Sequence, residues 1–230
     1  MKSTVVEISP GQNIIAKQSW TKKNLADAHV ESVLFCEFGC RYCSSNAGLH
    51  LRFKKKSIED AVTSQAGQSF DPHDAGDVVI TYPGIAQKLN EELSRRKCKP
   101  GVGQTLVYSQ LTDGFSPQLL QTGTARQILE LLLTKTEYRI RVITKNAVVS
   151  HKDWLRFFAD NADRFLVGLS VDTLDGEFAH SMERRTSSPK ARLKVLRDWM
   201  TRVFGDRDTE NWSRYAFGRE GDSVAALARC

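Results

Sequence analysis

The chain has 230 residues, 40% of them hydrophobic and 26% charged, with a formal net charge of +6, an ordinary balance for a soluble globular protein of one or two domains. No stretch approaches the roughly 18 apolar residues of a membrane span, and Met1-Lys2-Ser3-Thr4 lacks the apolar core of a secretory signal. Five cysteines, three of them clustered, do not make a disulfide framework and point to a reducing, cytoplasmic compartment. The modest positive charge permits a polyanionic partner such as nucleic acid without requiring one. Its densest run, Arg52-Phe53-Lys54-Lys55-Lys56, reads first as a solvated basic face.

Residues 1–30 form a lead-in, with a short strand at Val5–Ile8 stopped by Ser9-Pro10-Gly11 and a weak apolar run at Asn13–Ala16. Val33-Leu34-Phe35 reads as a buried strand that feeds a cysteine-rich loop. A helix is expected from Ser57, a candidate N-cap with Asp60 at the capping-box distance. Residues 66–76 are loop. Asp77–Thr81 is strand-like, Ile85–Arg96 an amphipathic helix and Thr105–Ser109 a strand. The loop at 110–117 leads to a helix from near Thr124 to Leu133. Tyr138–Thr144 is a strand, Trp154–Phe158 a helix capped from near Ser150, and Phe165–Val171 a buried strand. Ser188-Pro189 opens a helix to about Met200, with proline in its first turn. Gly205–Cys230 is a polar tail in which only Val224–Leu227 is apolar.

Strands alternating with helices predict an α/β fold with parallel pairing through right-handed crossovers. In parallel α/β barrels chemistry collects at the C-terminal ends of the strands. The cysteine loop, Thr112-Asp113, Lys145 and Ser170–Asp172 all fall at or just past such ends.

Cys36, Cys40 and Cys43 have the spacing C-x3-C-x2-C. Soft thiolates select iron–sulfur clusters, zinc or copper(I). A closed zinc site takes four ligands, and Cys98 and Cys230 are distant in sequence. Three thiolates on a cubane cluster leave one iron open to a small molecule. The alternatives are a Cys3His zinc site completed by His50, or three unconnected thiols. Gly39 suits a loop that wraps a cluster, where a positive φ is expected. His29, His73, His151 and His180 show no paired ligand spacing, and Cys98 reads as a bystander.

The three-cysteine motif resembles that of the radical S-adenosylmethionine (radical SAM) enzymes. The resemblance runs from about Ser32 to Leu196 and is closest to the spore-photoproduct-lyase-like, or DNA-repair-photolyase-like, branch. It is carried by Thr112-Asp113 with Pro117, by Thr144-Lys145 and by Ser170 followed by Thr173-Leu174-Asp175. Glu183-Arg184-Arg185, Ser188-Pro189 and Arg192 complete it. It implies a partial parallel (β/α) barrel, of which about four of six units are evident. It implies a [4Fe–4S] cluster on Cys36, Cys40 and Cys43, with S-adenosyl-L-methionine on the open iron. Reductive cleavage to a 5′-deoxyadenosyl radical then abstracts hydrogen from substrate, here a nucleic-acid lesion by analogy with the lyases. An external electron donor such as flavodoxin or ferredoxin is implied with it.

The same resemblance sets Tyr42 near the adenine. Lys145 and Arg185 are suited to the carboxylate of the cofactor. Ser170 offers a hydroxyl to ribose or carboxylate, and Ser109 with Thr112 and Asp113 to amine or ribose. Asp113 and Asp175 also fit as turn residues or helix caps. Family members continue with two more strand–helix units where this chain has its tail, so the edge at Phe165–Val171 is expected to need cover from the tail or a partner chain. A metal-binding nucleic-acid module without catalysis, and an inactive shortened enzyme, are the competing readings.

Overall fold

A computed structural model describes residues 3–17, 26–43, 45, 51, 54–72, 77–204 and 224–229, with side chains omitted at 200–204 and 224–229. In chain order the elements are β1 (Thr4–Glu7), β2 (Ile15–Lys17), β3 (Ala28–Val30), β4 (Val33–Phe35), α1 (Lys55–Ala66), β5 (Val78–Thr81), α2 (Ile85–Ser94) and β6 (Thr105–Tyr108). There follow α3 (Pro117–Gln121), α4 (Thr124–Lys135), β7 (Arg139–Thr144), a 3-10 turn (Ala147–Ser150), α5 (Lys152–Ala159), β8 (Phe165–Val171), α6 (Gly176–Met182), α7 (Pro189–Phe204) and β9 (Val224–Arg229).

The strands form two sheets, one ordered β1-β5-β4 and the other β2-β3-β6-β7-β8-β9. In the larger sheet β3, β6, β7 and β8 run parallel. Antiparallel β2 and β9 flank them. The protein is therefore a mixed α/β fold with a parallel centre, as the strand–helix alternation predicts.

Alternation along β7 fixes which way the sheet faces. Ile140, Val142 and Thr144 are buried while Arg139, Arg141 and Ile143 are less so, because successive strand side chains point to opposite faces. Ile140 and Val142 share one core with Ala28, Val30, Leu106, Tyr108, Phe165, Val167 and Leu169. The helices supply the other half of that core at helical spacing: Ile85, Leu89 and Leu93 from α2, and Ile128, Leu129 and Leu132 from α4. Trp154, Phe157 and Phe158 of α5 meet Phe115, Phe165 and Trp199 in an aromatic group, with Phe158 edge-on to Phe165 at 4.9 Å. A smaller core joins Val6, Phe35, Ile58, Val62, Val78 and Ile80 between α1 and the three-stranded sheet.

The structure revises several sequence expectations. Residues 4–30, read as a lead-in, supply β1, β2 and β3. The parallel strand before the cysteines is β3; β4 pairs instead with β5, antiparallel. Ser57 does not cap α1, which begins two residues earlier after Lys54 with no side-chain cap. Burial of Ile58 and Val62 against β1 and β5 sets that helix, overriding the local capping signal. Val224–Arg229 pairs antiparallel with Leu166–Val171 of β8, so the chain's own β9 covers that edge and no partner chain is needed there. The rest of the tail, with His50, Arg52, Phe53, His73 and Cys230, lies outside the described residues. No described helix is long and apolar enough to cross a membrane.

Candidate functional site

The cysteine loop leaves β4 and is fastened to the segment between α6 and α7. The Cys40 backbone bridges that of Glu183. Arg41 N donates to Met182 O at 2.9 Å and Arg185 N to Phe38 O at 3.3 Å. Gly39 has φ +62°, as expected of a loop that turns this tightly. Phe38 is buried as the loop's apolar anchor. Cys40 is buried, and Cys36 and Cys43 are half-buried. Burial, together with the charges of Asp113 and Cys43, pushes the Cys36 thiol up to about 12. Burial, Cys36 and Glu183 raise Cys40 further still. Without a metal Cys36 and Cys40 stay protonated, so metal binding there must release protons. The thiols lie within electrostatic reach of one another, since Cys43 acts on Cys36 and both act on Cys40. Among the described residues no group of three or more His, Cys, Asp or Glu side chains is placed to hold one metal ion.

Beside the loop, at the C-terminal ends of β7 and β8, Lys145 is the centre of a charged network. Its Nζ donates to Ser170 Oγ at 2.9 Å, to Glu183 Oε1 at 2.8 Å and to Asp172 Oδ2. The Tyr42 hydroxyl donates to Asp172 Oδ2 at 2.7 Å and to Glu183 Oε1, and Nζ stands 5.3 Å from the Tyr42 ring centroid. Arg192, fully buried on α7, closes the network through Glu183 Oε2 and the Ser170 carbonyl, the latter at 2.6 Å. Burial raises the Asp172 carboxyl, but the hydrogen bonds from Lys145 and Tyr42 outweigh it and hold the group at about 2. Burial and the adjoining carboxylates push Tyr42 well above the ordinary phenol range. Two cations and two carboxylates thus meet where the sequence expectation had Lys145, Arg185 and Ser170, with Tyr42 nearby.

The other expected cofactor contacts are engaged elsewhere. Asp113 is buried and accepts from Phe115 N at 2.9 Å, Thr144 Oγ1 at 2.7 Å and Lys145 N at 2.7 Å. Both its oxygens are occupied, so it acts as the turn residue that sets the end of β7. The Ser109 hydroxyl meets that of Ser32 at 2.6 Å, and Thr112 Oγ1 donates to Glu31 Oε2 at 3.1 Å. The Arg185 guanidinium reaches Ser3 Oγ at 2.6 Å. Asp175 caps α6 by accepting from Glu177 N and Phe178 N. Cys98 is exposed.

Sequence reasoning missed Glu31. Its carboxylate accepts from Leu111 N at 3.0 Å and is also held by the backbone of Gln110 and Thr112. Gathering those N–H groups on one anion requires the chain to turn sharply after β6, and Ser109 does so at φ +54°. Among the described residues it is the one non-glycine with positive φ, a conformation that costs about 1–2 kcal/mol and persists only where the surroundings impose it. The available signal was a carboxylate in the stretch from Ala28 to Phe35, which is apolar apart from His29, Glu31 and Ser32.

Scanned against known protein families, the chain matches none, and no solved structure matches it. It is 27% identical over 191 residues to a protein of Acidianus two-tailed virus called "Uncharacterized protein ORF301". The alignment covers 83% of this chain and 57% of that protein. The chain thus spans a little over half the length of the curated relative it matches.

Proposed function

We propose that this protein is a radical SAM enzyme built on a partial (β/α) barrel, with Cys36, Cys40 and Cys43 as ligands of a [4Fe–4S] cluster. The observation that carries this reading is the position of the three-thiol loop. It is fastened to the segment between α6 and α7, and its Tyr42 ring stands 5.3 Å from the Nζ of Lys145, the residue that follows β7. The donor set fits a cluster, because soft thiolates favour iron–sulfur centres and each thiolate of a cluster binds its own iron. Three sulfurs serving three irons need not converge on one point. When bound, the cluster supplies the electron that cleaves the sulfonium of S-adenosylmethionine.

The chain's own residues receive the amino-acid end of that molecule. An α-ammonium and an α-carboxylate are matched by a network that already holds both signs of charge. Asp172 and Glu183 offer acceptors, Lys145 a cation, and Ser170 a hydroxyl. Arg192 stays buried and holds Glu183 in its orientation. Tyr42, anchored through its hydroxyl, presents a ring at the mouth for the adenine. Lys145 would take that α-carboxylate in place of one of its present partners, Asp172 or Glu183, and so would not be left unpaired. A nucleic-acid lesion is the proposed substrate class, in keeping with the chain's net charge of +6. The reductant is an external carrier such as flavodoxin or ferredoxin, and the setting is cytoplasmic. The test is anaerobic incubation of the iron-loaded protein with S-adenosylmethionine and dithionite. Formation of 5′-deoxyadenosine supports the reading; a cluster-loaded protein that never produces it rejects the enzyme.

A further inference from the structure

The face of the large sheet turned away from the helices carries side chains in rows. Ala28, Val30, Leu106, Tyr108, Ile140 and Val142 face the helical core, so the residues between them point the other way. One row is His29, Val107, Arg141 and Leu166, aligned across four parallel strands. Along β7 the same face bears Arg139, Arg141, Ile143 and then Lys145. The middle of a parallel barrel is ordinarily filled by branched apolar side chains; two arginines here are an exception that needs a reason.

Among the described residues neither Arg141 nor His29 has a hydrogen-bond or ion-pair partner. Arg141 Nε and His29 Nδ1 are shut off from water and make no hydrogen bond, although both residues are only half-buried overall. Arg164, by contrast, donates to the carbonyls of Tyr138 and Thr136, each at 2.9 Å. Among the described residues no carboxylate offsets Arg141: burial and the charge of Arg139 both push its guanidinium down. Leaving a buried donor unsatisfied costs about 1–3 kcal/mol, more when it is charged. Strands stand about 4.8 Å apart, so His29 and Arg141, two strands removed, flank Val107 with about 10 Å between their backbones. Their side chains can converge above Val107 on one multidentate anion.

We propose that this row is a phosphate subsite, with Arg141 as the planar fork and His29 as the second donor, and that it holds a phosphate of the substrate. Arg141 lies four residues before Lys145, about 13 Å along the strand, so this anion is separate from the carboxylate assigned to Lys145. The inference rests on the proposed function for the word substrate, but the binding it describes needs neither cluster nor cofactor.

The test is thermal unfolding of the full chain titrated with inorganic phosphate against chloride at constant ionic strength, with iron content measured on the same samples. The wild type is expected to show a saturable rise in Tm, lost in Arg141→Gln and shifted at least threefold in midpoint in His29→Gln. An equal phosphate response in wild type and Arg141→Gln, or none in the wild type, overturns the subsite. If Arg141→Gln does not fold, Arg141→Lys decides: it keeps the charge and loses the fork, and an unchanged midpoint overturns the assignment. Competition by a short single-stranded oligodeoxynucleotide assigns the phosphate to a nucleic-acid chain, and competition by mononucleotide alone assigns it to a small phosphorylated molecule. Iron that loads normally while phosphate fails removes this subsite and leaves the enzyme reading in place.

Discussion

Replacing Arg192 by Met isolates the contribution of the buried ion pair behind the site. Arg192 is 0% exposed and Glu183 3% exposed. The guanidinium holds Glu183 Oε2 and the Ser170 carbonyl at once. Methionine fills much of the volume but leaves a buried carboxylate with Lys145, Tyr42 and Thr186 as its remaining donors. Removing one partner of such a pair costs about 3–5 kcal/mol. With a urea slope of about 2–3 kcal/mol per molar, the unfolding midpoint falls by about 1–2.5 M. Because the Glu183 backbone bridges Cys40, the variant should also load iron less completely. The double variant Glu183→Met with Arg192→Met removes the stranded charge and is expected to be more stable than Arg192→Met alone. Equilibrium urea unfolding followed by far-UV circular dichroism reads both. A midpoint drop below about 0.3 M for Arg192→Met, or strictly additive losses in the double variant, would refute the idea that this pair tensions the site.

Three further perturbations probe separate parts of the account. Burial pushes the Glu31 carboxyl up to about 7 from an ordinary 4.5; between those values the native chain keeps a proton the unfolded chain has released. Stability should therefore fall as pH rises from about 4.5 to 7 and level off above, and urea midpoints for Glu31→Gln over that range should lose this component; parallel profiles for the two proteins would contradict it. Ser109→Val should be less stable than Ser109→Gly by about 1–2 kcal/mol, because a β-branched residue resists positive φ, and equal unfolding midpoints would remove the strain argument. Lys145→Ala should weaken S-adenosylmethionine binding about tenfold, the scale of one charge-assisted contact, with iron content unchanged; calorimetric titration giving equal affinity would strike Lys145 from the site.

How far the sequence reveals this fold depends on the length of each signal. Thr105–Tyr108, Arg139–Thr144 and Phe165–Val171 lie within a residue of their expected bounds, because β-branched and apolar runs of that length have few alternatives. The three-residue strands at Ile15 and Ala28 are too short and too polar, with His29 in the middle of one, to stand out before their partners are known. The short helix at Pro117 was hidden in a stretch that reads as loop, and β9 inside a mostly polar tail. At the site, Lys145 and Ser170 were legible as polar residues closing apolar strands, and Gly39 as the hinge of the loop. Asp172, Glu183 and Tyr42 become one network only when α6 and the cysteine loop are brought together, a tertiary event with no local spacing to announce it. The present partners of Ser109 and Thr112 were hidden for the same reason, since Ser32 and Glu31, which their hydroxyls meet, lie far upstream.

The measurement that bears most directly on the account is the metal content and visible spectrum of the chain after anaerobic reconstitution with iron and sulfide. The wild type should turn brown and hold about four irons per chain, as a [4Fe–4S] centre requires, while Cys36→Ala, Cys40→Ala and Cys43→Ala should each stay colourless and nearly iron-free. One tightly held zinc in the wild type, or the same iron content in all four proteins, would contradict the role assigned to the three thiols.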